Sequence, residues 1–205
     1  MPTPNKTTEW TGLRGKIGAW MLNNPLRNRS EADFLQRILA HVRGGEVVLD
    51  VGSGSGYYSL RIAENLSTGK VIALDQSGEM LAYLKKRAEK VGLGHRIEVV
   101  RADASSSGLD GGSVDIAVSN TVLHELSDPA SALREMARVL KSGGVALVKD
   151  FDGDTLKGKM IKMFHHGDAD GPFSAAQLEE LFRAIGFREV SVTRRKGFLI
   201  AHCSK

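Results

Sequence analysis

From residue 46 onward, short apolar runs rich in β-branched residues alternate with stretches in which apolar residues recur at helical spacing. This alternation is typical of a parallel β-sheet covered by helices on both faces. The apolar runs are mostly continuous, as expected for strands that are buried on both sides. The predicted strands are Glu46–Val51, Lys70–Asp75, Ile97–Arg101, Val114–Ser119 and Val145–Phe151. The sequence therefore predicts an α/β fold with a doubly wound sheet.

Three apolar stripes predict helices that cover this sheet. The stripes consist of Leu81, Leu84, Ala88 and Val91, of Leu133, Met136, Ala137 and Leu140, and of Leu178, Leu181, Phe182 and Ile185. Capping signals support their boundaries. These signals are Asp128 before Pro129, the capping-box pair Ser174 and Gln177, and Gly143 and Gly186 after helix ends.

The end of the chain departs from the alternation. Val190 and Val192 alternate with polar residues, and residues 195–197 lead directly into the apolar run Phe198–Cys203. No room remains for a crossover helix, so these two strands must be antiparallel. We therefore predict a seven-stranded, mostly parallel sheet with an antiparallel C-terminal hairpin strand.

The residues before the sheet predict helices. Phe34, Leu35, Ile38, Leu39 and Val42 form an amphipathic pattern for which Ser30 is the predicted cap, and Trp10–Leu22 forms a second one. We therefore expect a single domain over 1–205, with a helical cap region at 1–45 and an α/β core at 46–205. The cap either roofs a pocket or covers a sheet edge.

Composition narrows the class of protein. The 205 residues contain no apolar run long enough to cross a bilayer and no secretion signal near Met1, so we expect a cytoplasmic protein. The single Cys203 cannot form an internal disulfide. The net charge of +4 is spread along the chain apart from Arg194, Arg195 and Lys196, and aromatic residues make up only 6%. A nucleic-acid partner is therefore not favoured, and no feature indicates an oligomeric state.

A glycine-rich turn follows the first predicted strand and leads into a helix predicted over Tyr57–Leu66. Glycines in the segment 52–56 permit positive φ, and amides at a helix start favour polar or anionic groups. A dinucleotide fingerprint would require glycine at position 57, which is Tyr57 here. Asp50, just before the turn, suits a ligand with an ammonium group. An amino-acid-bearing nucleoside therefore fits better than a dinucleotide.

Two more carboxylates follow later strands. Asp75 ends the second strand and can accept two hydrogen bonds from a ribose diol, as it would for a nicotinamide or an S-adenosyl cofactor. Asp103 follows the third strand and can accept a hydrogen bond from an adenine amine.

Together these residues resemble the class I S-adenosylmethionine-dependent methyltransferases, particularly the methyltransferase type 11 group with the ubiquinone/menaquinone-biosynthesis enzymes. The resemblance spans about residues 46–203 and depends on five ordered segments. These segments are 48–56, 71–75, 101–104, 119–125 and 138–144. It implies a Rossmann-like fold, S-adenosyl-L-methionine as cofactor and S-adenosyl-L-homocysteine as product.

The resemblance also implies roles for individual residues. The glycine loop and Asp50 would hold the methionine moiety, Asp75 the ribose and Asp103 the adenine. Ser119 and Asn120 would line the cofactor and acceptor pocket. The implied cofactor-binding set is Asp50, Gly52, Ser53, Gly54, Gly56, Asp75, Gln76, Met80, Asp103, Ala104 and Asn120.

Methyl transfer is an in-line displacement, so the protein mainly aligns donor and nucleophile and excludes water. An acceptor with an acidic proton also needs a base, for which histidine is the usual residue. His124 after the fourth strand and Asp150 at the end of the fifth are the predicted catalytic residues. His124 either transfers a proton or only supports backbone and cofactor.

A small organic acceptor is predicted, because Asn120 is followed by Thr121 and Val122. Enzymes that methylate nucleobase amines or glutamine amides usually carry two prolines there. His165, His166, Asp168 and Asp170 form a polar loop that contacts the acceptor, binds a metal or is simply solvated. Its spacing matches no metal motif, so no metal is predicted.

Three other functions remain open. They are a methyltransferase of protein or RNA, a non-catalytic S-adenosylmethionine-binding regulatory protein, and a nicotinamide oxidoreductase. The first would be favoured by a positive surface built from Arg14, Lys16, Arg27 and Arg29.

Overall fold

The computed structural model describes residues 25–164 and 171–205. The strands are β1 (Val47–Val51), β2 (Lys70–Asp75), β3 (Ile97–Arg101), β4 (Val114–Asn120), β5 (Leu140–Phe151), β6 (Arg188–Arg195) and β7 (Phe198–Ser204). The helices are α1 (Pro25–Leu39), α2 (Tyr57–Ala63), α3 (Gly78–Lys90), α4 (Pro129–Val139), α5 (Leu156–Phe164) and α6 (Ala175–Ile185). The predicted helix Trp10–Leu22 and the residues Arg14, Lys16, His165, His166, Asp168 and Asp170 lie outside the described residues.

The strands form one sheet in the order β3-β2-β1-β4-β5-β7-β6. Strands β1 to β5 are parallel, and β7 runs antiparallel between β5 and β6. This arrangement confirms the predicted doubly wound, mostly parallel sheet with a C-terminal hairpin. The chain reverses its direction across the sheet between β1 and β4, and ligands bind at such a switch point in open α/β sheets.

The sheet is buried on both faces. On one face Phe34 and Ile38 of α1 pack with α2 against Val48 and Leu147. On the other face α4 and α6 cover the same strands, with Leu133, Met136, Leu178 and Phe182 among the buried residues. Burial on both faces explains why the strands read as continuous apolar runs.

Several predicted helix ends are confirmed. Asp128 accepts a hydrogen bond from the Ser131 amide at 2.9 Å, directly before Pro129. Ser174 and Gln177 form the predicted capping box. Gly186 ends α6 in the left-handed region, at a φ of 103°.

Other predicted boundaries are wrong. Helix α1 begins at Pro25, so Ser30 is inside it and is not its cap. Helix α4 ends at Val139, because Leu140 already pairs with Val114 as the first residue of β5. Gly143 therefore does not follow a helix but lies in the irregular first part of β5.

Two helices end earlier than their sequence patterns predict. Val91 is 56% exposed and caps α3 instead of packing with its apolar face. Helix α2 ends at Ala63 and not at Leu66.

Within residues 25–164 and 171–205, no helix combines the length and apolarity needed to cross a membrane.

A buried ion pair joins α1 to the sheet. Lys149 Nζ on β5 lies 2.5 Å from Glu31 Oε2 on α1, and both side chains are less than 5% exposed. The Tyr58 hydroxyl on α2 donates a hydrogen bond of 2.5 Å to the same carboxylate oxygen. Three elements are therefore held together by one carboxylate.

We predict that Lys149→Met lowers the free energy of unfolding by about 3–5 kcal/mol, because it leaves a buried carboxylate without its cation. The double variant Glu31→Gln/Lys149→Met should lose clearly less, since no buried charge remains. Urea unfolding followed by circular dichroism measures both.

Lys70→Met is the matched control, because Lys70 pairs with Glu98 on the surface with both side chains 49% exposed. It should change stability by about 1 kcal/mol or less. Equal losses for the single and the double variant at position 149 would contradict the prediction.

Candidate cofactor and acceptor site

The predicted site residues meet at one edge of the sheet, because β1 to β5 are parallel and their carboxyl ends coincide. Asp50 on β1 pairs with Ala73 and Val118. Asp75 and Asn120 are each two residues further along those strands, so all three side chains are on the α1/α2 face. The alternation puts Asp150 on the opposite face, because its neighbour Lys149 pairs with Asn120.

Asp50 is a buried carboxylate. It is 3% exposed and accepts a hydrogen bond of 2.5 Å from the Ser59 hydroxyl on α2. Burial raises the pKa of Asp50 to about 6, and the nearby charge of Asp75 adds to this shift against the opposing Ser59 hydrogen bond. A ligand cation beside Asp50 would relieve this cost, as expected for an ammonium-binding residue.

The amides of the glycine loop are used inside the protein. Gly52 and Ser53 both donate to the Leu74 carbonyl, at 2.8 and 3.0 Å. Gly54 donates to Asp75 Oδ2 at 2.8 Å, and Gly56 donates to the Ser53 carbonyl at 2.9 Å. These four amides are therefore not available to a ligand. Three of them attach the loop to β2, and that of Gly56 closes the turn within the loop.

Two loop glycines are required by packing. Gly52 and Gly56 have φ values of 70° and 81°. A Cβ atom would overlap Val122 at the first position and Leu84 at the second. Part of the glycine pattern thus reflects the close approach of the loop to α3 and to the segment after β4.

Asp75 is at the end of β2, between the loop and α3. Its two carboxylate oxygens accept hydrogen bonds from the amides of Gly54 and Ser77, each at 2.8 Å. Burial raises the pKa of Asp75, while these backbone hydrogen bonds oppose the shift. Each oxygen retains a second acceptor position, so the carboxylate can still receive hydrogen bonds from a diol.

Gln76 and Asp103 are joined to each other. Gln76 Nε2 donates to Asp103 Oδ2 at 2.5 Å, and Ser105 donates to the other oxygen through its amide and hydroxyl. Asp103 is exposed, whereas Met80 and Ala104 are buried. This end of the site combines an exposed polar pair with apolar surface.

Buried polar atoms without a partner concentrate between β1 and β4. Among the described residues, Ser53 Oγ, Ser119 Oγ and Asn120 Oδ1 are buried and have no hydrogen-bond partner. A fourth such atom, His202 Nε2, is on β7. Unpaired buried polar atoms are costly, and a group of them at a switch point indicates that a polar ligand completes their hydrogen bonds.

His124 and Asp150 form a buried pair, which the sequence did not predict. His124 Nδ1 lies 2.6 Å from Asp150 Oδ1, and the His124 amide donates to Asp150 Oδ2 at 3.0 Å. Burial disfavours the charged imidazole, but the Asp150 hydrogen bond and charge, together with Glu125, raise the pKa of His124 above its ordinary value. The contact orients the ring with Nδ1 toward the carboxylate.

Aromatic and glycine residues enclose this pair. The His124 ring packs edge-to-face on Phe151 at 4.9 Å, and Phe151 stacks on Phe198 at 5.0 Å. A Cβ atom at Gly171 would overlap the His124 backbone. Sequence reasoning missed Phe151, Phe198, Gly171 and Ser59 as parts of the site. The one sequence signal of a buried polar contact was Lys149, a charged residue inside an apolar strand.

No metal centre is found in the described part of the chain, where no group of three or more histidine, cysteine, aspartate or glutamate residues is arranged to hold an ion.

The sequence is similar to those of known proteins. A family model described as a methyltransferase domain matches residues 49–148. A demethylmenaquinone methyltransferase of Oceanobacillus iheyensis is 34% identical over 127 residues, which cover 62% of this chain and 52% of that protein. An uncharacterized chloroplastic methyltransferase of Arabidopsis thaliana is 28% identical over 185 residues, covering 85% of this chain and 52% of that protein. The first curated relatives are longer, and the matches span 30–52% of their lengths.

Solved structures agree with the fold. A methyltransferase from Aquifex aeolicus, described as dependent on S-adenosylmethionine, has a TM-score of 0.74 at 25% identity, covering 91% of this chain and 96% of that one. A putative methyltransferase from Methanococcus maripaludis reaches a TM-score of 0.77 at 21% identity over 100% and 97% of the two chains, and supports the fold alone. The fold is thus the Rossmann-like fold of the class I methyltransferases. Over residues 49–148 the chain is similar to a methyltransferase domain, and its fold is shared with the S-adenosylmethionine-dependent methyltransferase of Aquifex aeolicus.

We predict that Asp150→Asn lowers the pKa of His124, because it removes the charge that stabilises the imidazolium. The pKa is measured by NMR titration of the imidazole C–H resonances. Glu125→Gln is the matched control, since Glu125 Oε1 is 3.7 Å from His124 Nε2 and its side chain is 49% exposed. It should lower the pKa less. An unchanged His124 pKa in Asp150→Asn would show that the contact does not determine the charge of the ring.

Proposed function

We propose that the protein is an enzyme that transfers the methyl group of S-adenosyl-L-methionine to a small organic acceptor and releases S-adenosyl-L-homocysteine. The observation that carries the proposal is that Ser53 Oγ, directly after β1, and Asn120 Oδ1, at the end of β4, are buried and unpaired where β1 also carries the buried carboxylate of Asp50. When bound, the cofactor supplies an electrophilic methyl group on a sulfonium sulfur. The protein residues bind it, orient it and exclude water.

The methionine end is proposed to bind near β1 and β4. Asp50 receives the ammonium group, which stabilises its ionised form despite burial. Ser53 and Asn120 supply hydrogen bonds to the polar atoms of the same moiety. Ser59 holds the Asp50 carboxylate in place from α2.

The nucleoside end is proposed to bind across β2 and β3. Asp75 accepts hydrogen bonds from the ribose diol through its remaining acceptor positions. Gln76 and Asp103, already joined to each other, contact the adenine edge. Met80 and Ala104 contribute apolar contacts to the base, and Gly52, Gly54 and Gly56 keep the loop close to it.

His124 is proposed to act as the base toward the acceptor. Asp150 accepts the Nδ1 proton, so neutral His124 carries its lone pair on Nε2. That nitrogen would take the acceptor proton as the new bond to methyl forms, and Asp150 would stabilise the resulting imidazolium, as carboxylates do for catalytic histidines.

A small acceptor is supported by the Oceanobacillus relative, which is a demethylmenaquinone methyltransferase. We further propose that the helical region 1–45 forms one domain with the core 46–205. The ion pair between Glu31 and Lys149 supports this, because it attaches α1 to β5 next to Asn120.

We predict that Asp75→Asn weakens S-adenosylhomocysteine binding by about 1.5–3 kcal/mol, the usual contribution of hydrogen bonds to a charged group. Isothermal titration calorimetry measures the dissociation constant. Asp110→Asn, an exposed carboxylate outside the site, is the control and should leave it unchanged. Wild-type affinity in Asp75→Asn would refute the ribose role, and binding of NAD in place of S-adenosylhomocysteine would refute the cofactor.

We predict that His124→Gln lowers kcat by about 10²- to 10⁴-fold, as expected for loss of a general base, without changing cofactor affinity. Turnover is measured as S-adenosylhomocysteine release with a panel of phenols, hydroquinones and amines. Activity of the unsubstituted protein should fall as pH drops through the His124 pKa, because the protonated ring cannot accept a proton. Asp150→Asn should move this inflection to lower pH.

Full activity of His124→Gln with a proton-bearing acceptor would eliminate the base. Tight cofactor binding without turnover across the panel would favour a regulatory protein instead.

A further inference from the structure

Helix α5 presents apolar side chains to solvent. Leu156, Met160 and Met163 are 78%, 48% and 64% exposed. Their spacing of four and three residues puts them on one side of the helix, and we call them the α5 stripe. Gly158 is buried and Ile161 is half-buried on the inward side. This is the reverse of an ordinary surface helix, whose apolar side faces the core, and exposed apolar groups of this kind mark interaction sites.

Lysines accompany the α5 stripe. Lys157, Lys159 and Lys162 are exposed on the same helix, which contains no acidic residue. The ammonium group of Lys157 lies 4.5 Å from the centroid of the Phe151 ring. Long basic side chains of this type cover apolar surface with their stems and keep their charge outward.

The turn between β6 and β7 adds further positive charge. It is attached to the segment before α5, because the Asp152 amide donates to the Gly197 carbonyl at 3.1 Å. Asp152 and Asp154, the acidic residues of that segment, both pair with Arg194. Arg195 and Lys196 remain exposed. The surroundings of the α5 stripe are therefore strongly basic.

We propose that the α5 stripe and its basic surroundings bind the surface of a membrane that contains anionic lipid. The apolar side chains enter the boundary between headgroups and acyl chains, while the lysines and the hairpin turn contact the negative headgroups. The charge complementarity selects this occupant, because a purely apolar protein partner would not match at least five basic side chains around three apolar ones. The mode is peripheral, in agreement with the lack of a membrane-spanning helix among the described residues.

The full-length chain is tested by co-sedimentation with large unilamellar vesicles, without cofactor or acceptor. One set consists of phosphatidylcholine alone, and the other contains phosphatidylglycerol as about one third of the lipid. We expect binding to the anionic vesicles, little binding to phosphatidylcholine, and weaker binding as salt is raised.

The triple variant Leu156→Gln/Met160→Gln/Met163→Gln should lower the vesicle affinity at least about tenfold, because it removes the buried apolar area. Lys159→Gln/Lys162→Gln should lower it and reduce its salt dependence. Val91→Gln is the matched control, since it removes an exposed apolar side chain from the residue that caps α3, and it should bind like the unsubstituted protein.

Direct contact is tested with Met160→Cys carrying an environment-sensitive fluorophore. Cys203 is buried, and burial raises the pKa of its thiol to about 12, so labelling is confined to position 160. The emission should shift to the blue on addition of anionic vesicles.

Three results would overturn the proposal. They are absence of binding to anionic vesicles at low salt, unchanged binding of the triple variant, and a change of oligomeric state in the triple variant without lipid. The last result would mean that a second copy of the chain covers the α5 stripe.

Discussion

The parallel pairing of β1 with β4 fixes the layout of the whole sheet. It reverses the direction in which the sheet is built, so that β2 and β3 extend to one side and β5 to the other. The carboxyl ends of five parallel strands then face one edge, with a crevice where the connections diverge. Asp50, Asp75 and Asn120 reach the same face of this edge only because the register of β1 with its two neighbours aligns them.

Burial shifts the pKa values of the carboxylates at this edge of the sheet. Asp50 is removed from water beside Asp75, and burial raises the pKa of both. Among the described residues, Ser59 gives Asp50 hydroxyl and amide hydrogen bonds, and no basic side chain pairs with it. The structural pair Glu31 and Lys149, in contrast, is already neutralised inside the protein. Asp50 and Glu31 are both buried carboxylates on the α1/α2 face, but only Glu31 is paired with a cation of the described residues.

Much of the fold and of the candidate site could be predicted from the sequence. Strand positions, the terminal hairpin, the caps at Asp128 and Ser174 and the carboxylates after β1, β2 and β3 all depend on local patterns. The errors concern places where tertiary pairing overrides such patterns. Leu140 continues a helical stripe but pairs with Val114, and Ser30 resembles a cap although the helix starts earlier.

Local patterns in the chain are enough to predict the α/β class, the order of its elements and the chemical types present at the strand ends, because periodicity and turn residues act over a few positions. Which of these residues interact depends on how the strands pair. The contact of His124 with Asp150 spans 26 residues and that of Lys149 with Glu31 spans 118. The same holds for the amides of Gly52, Ser53 and Gly54, which donate to β2. Contacts of this kind depend on strand order and register, and no local pattern in the chain encodes them.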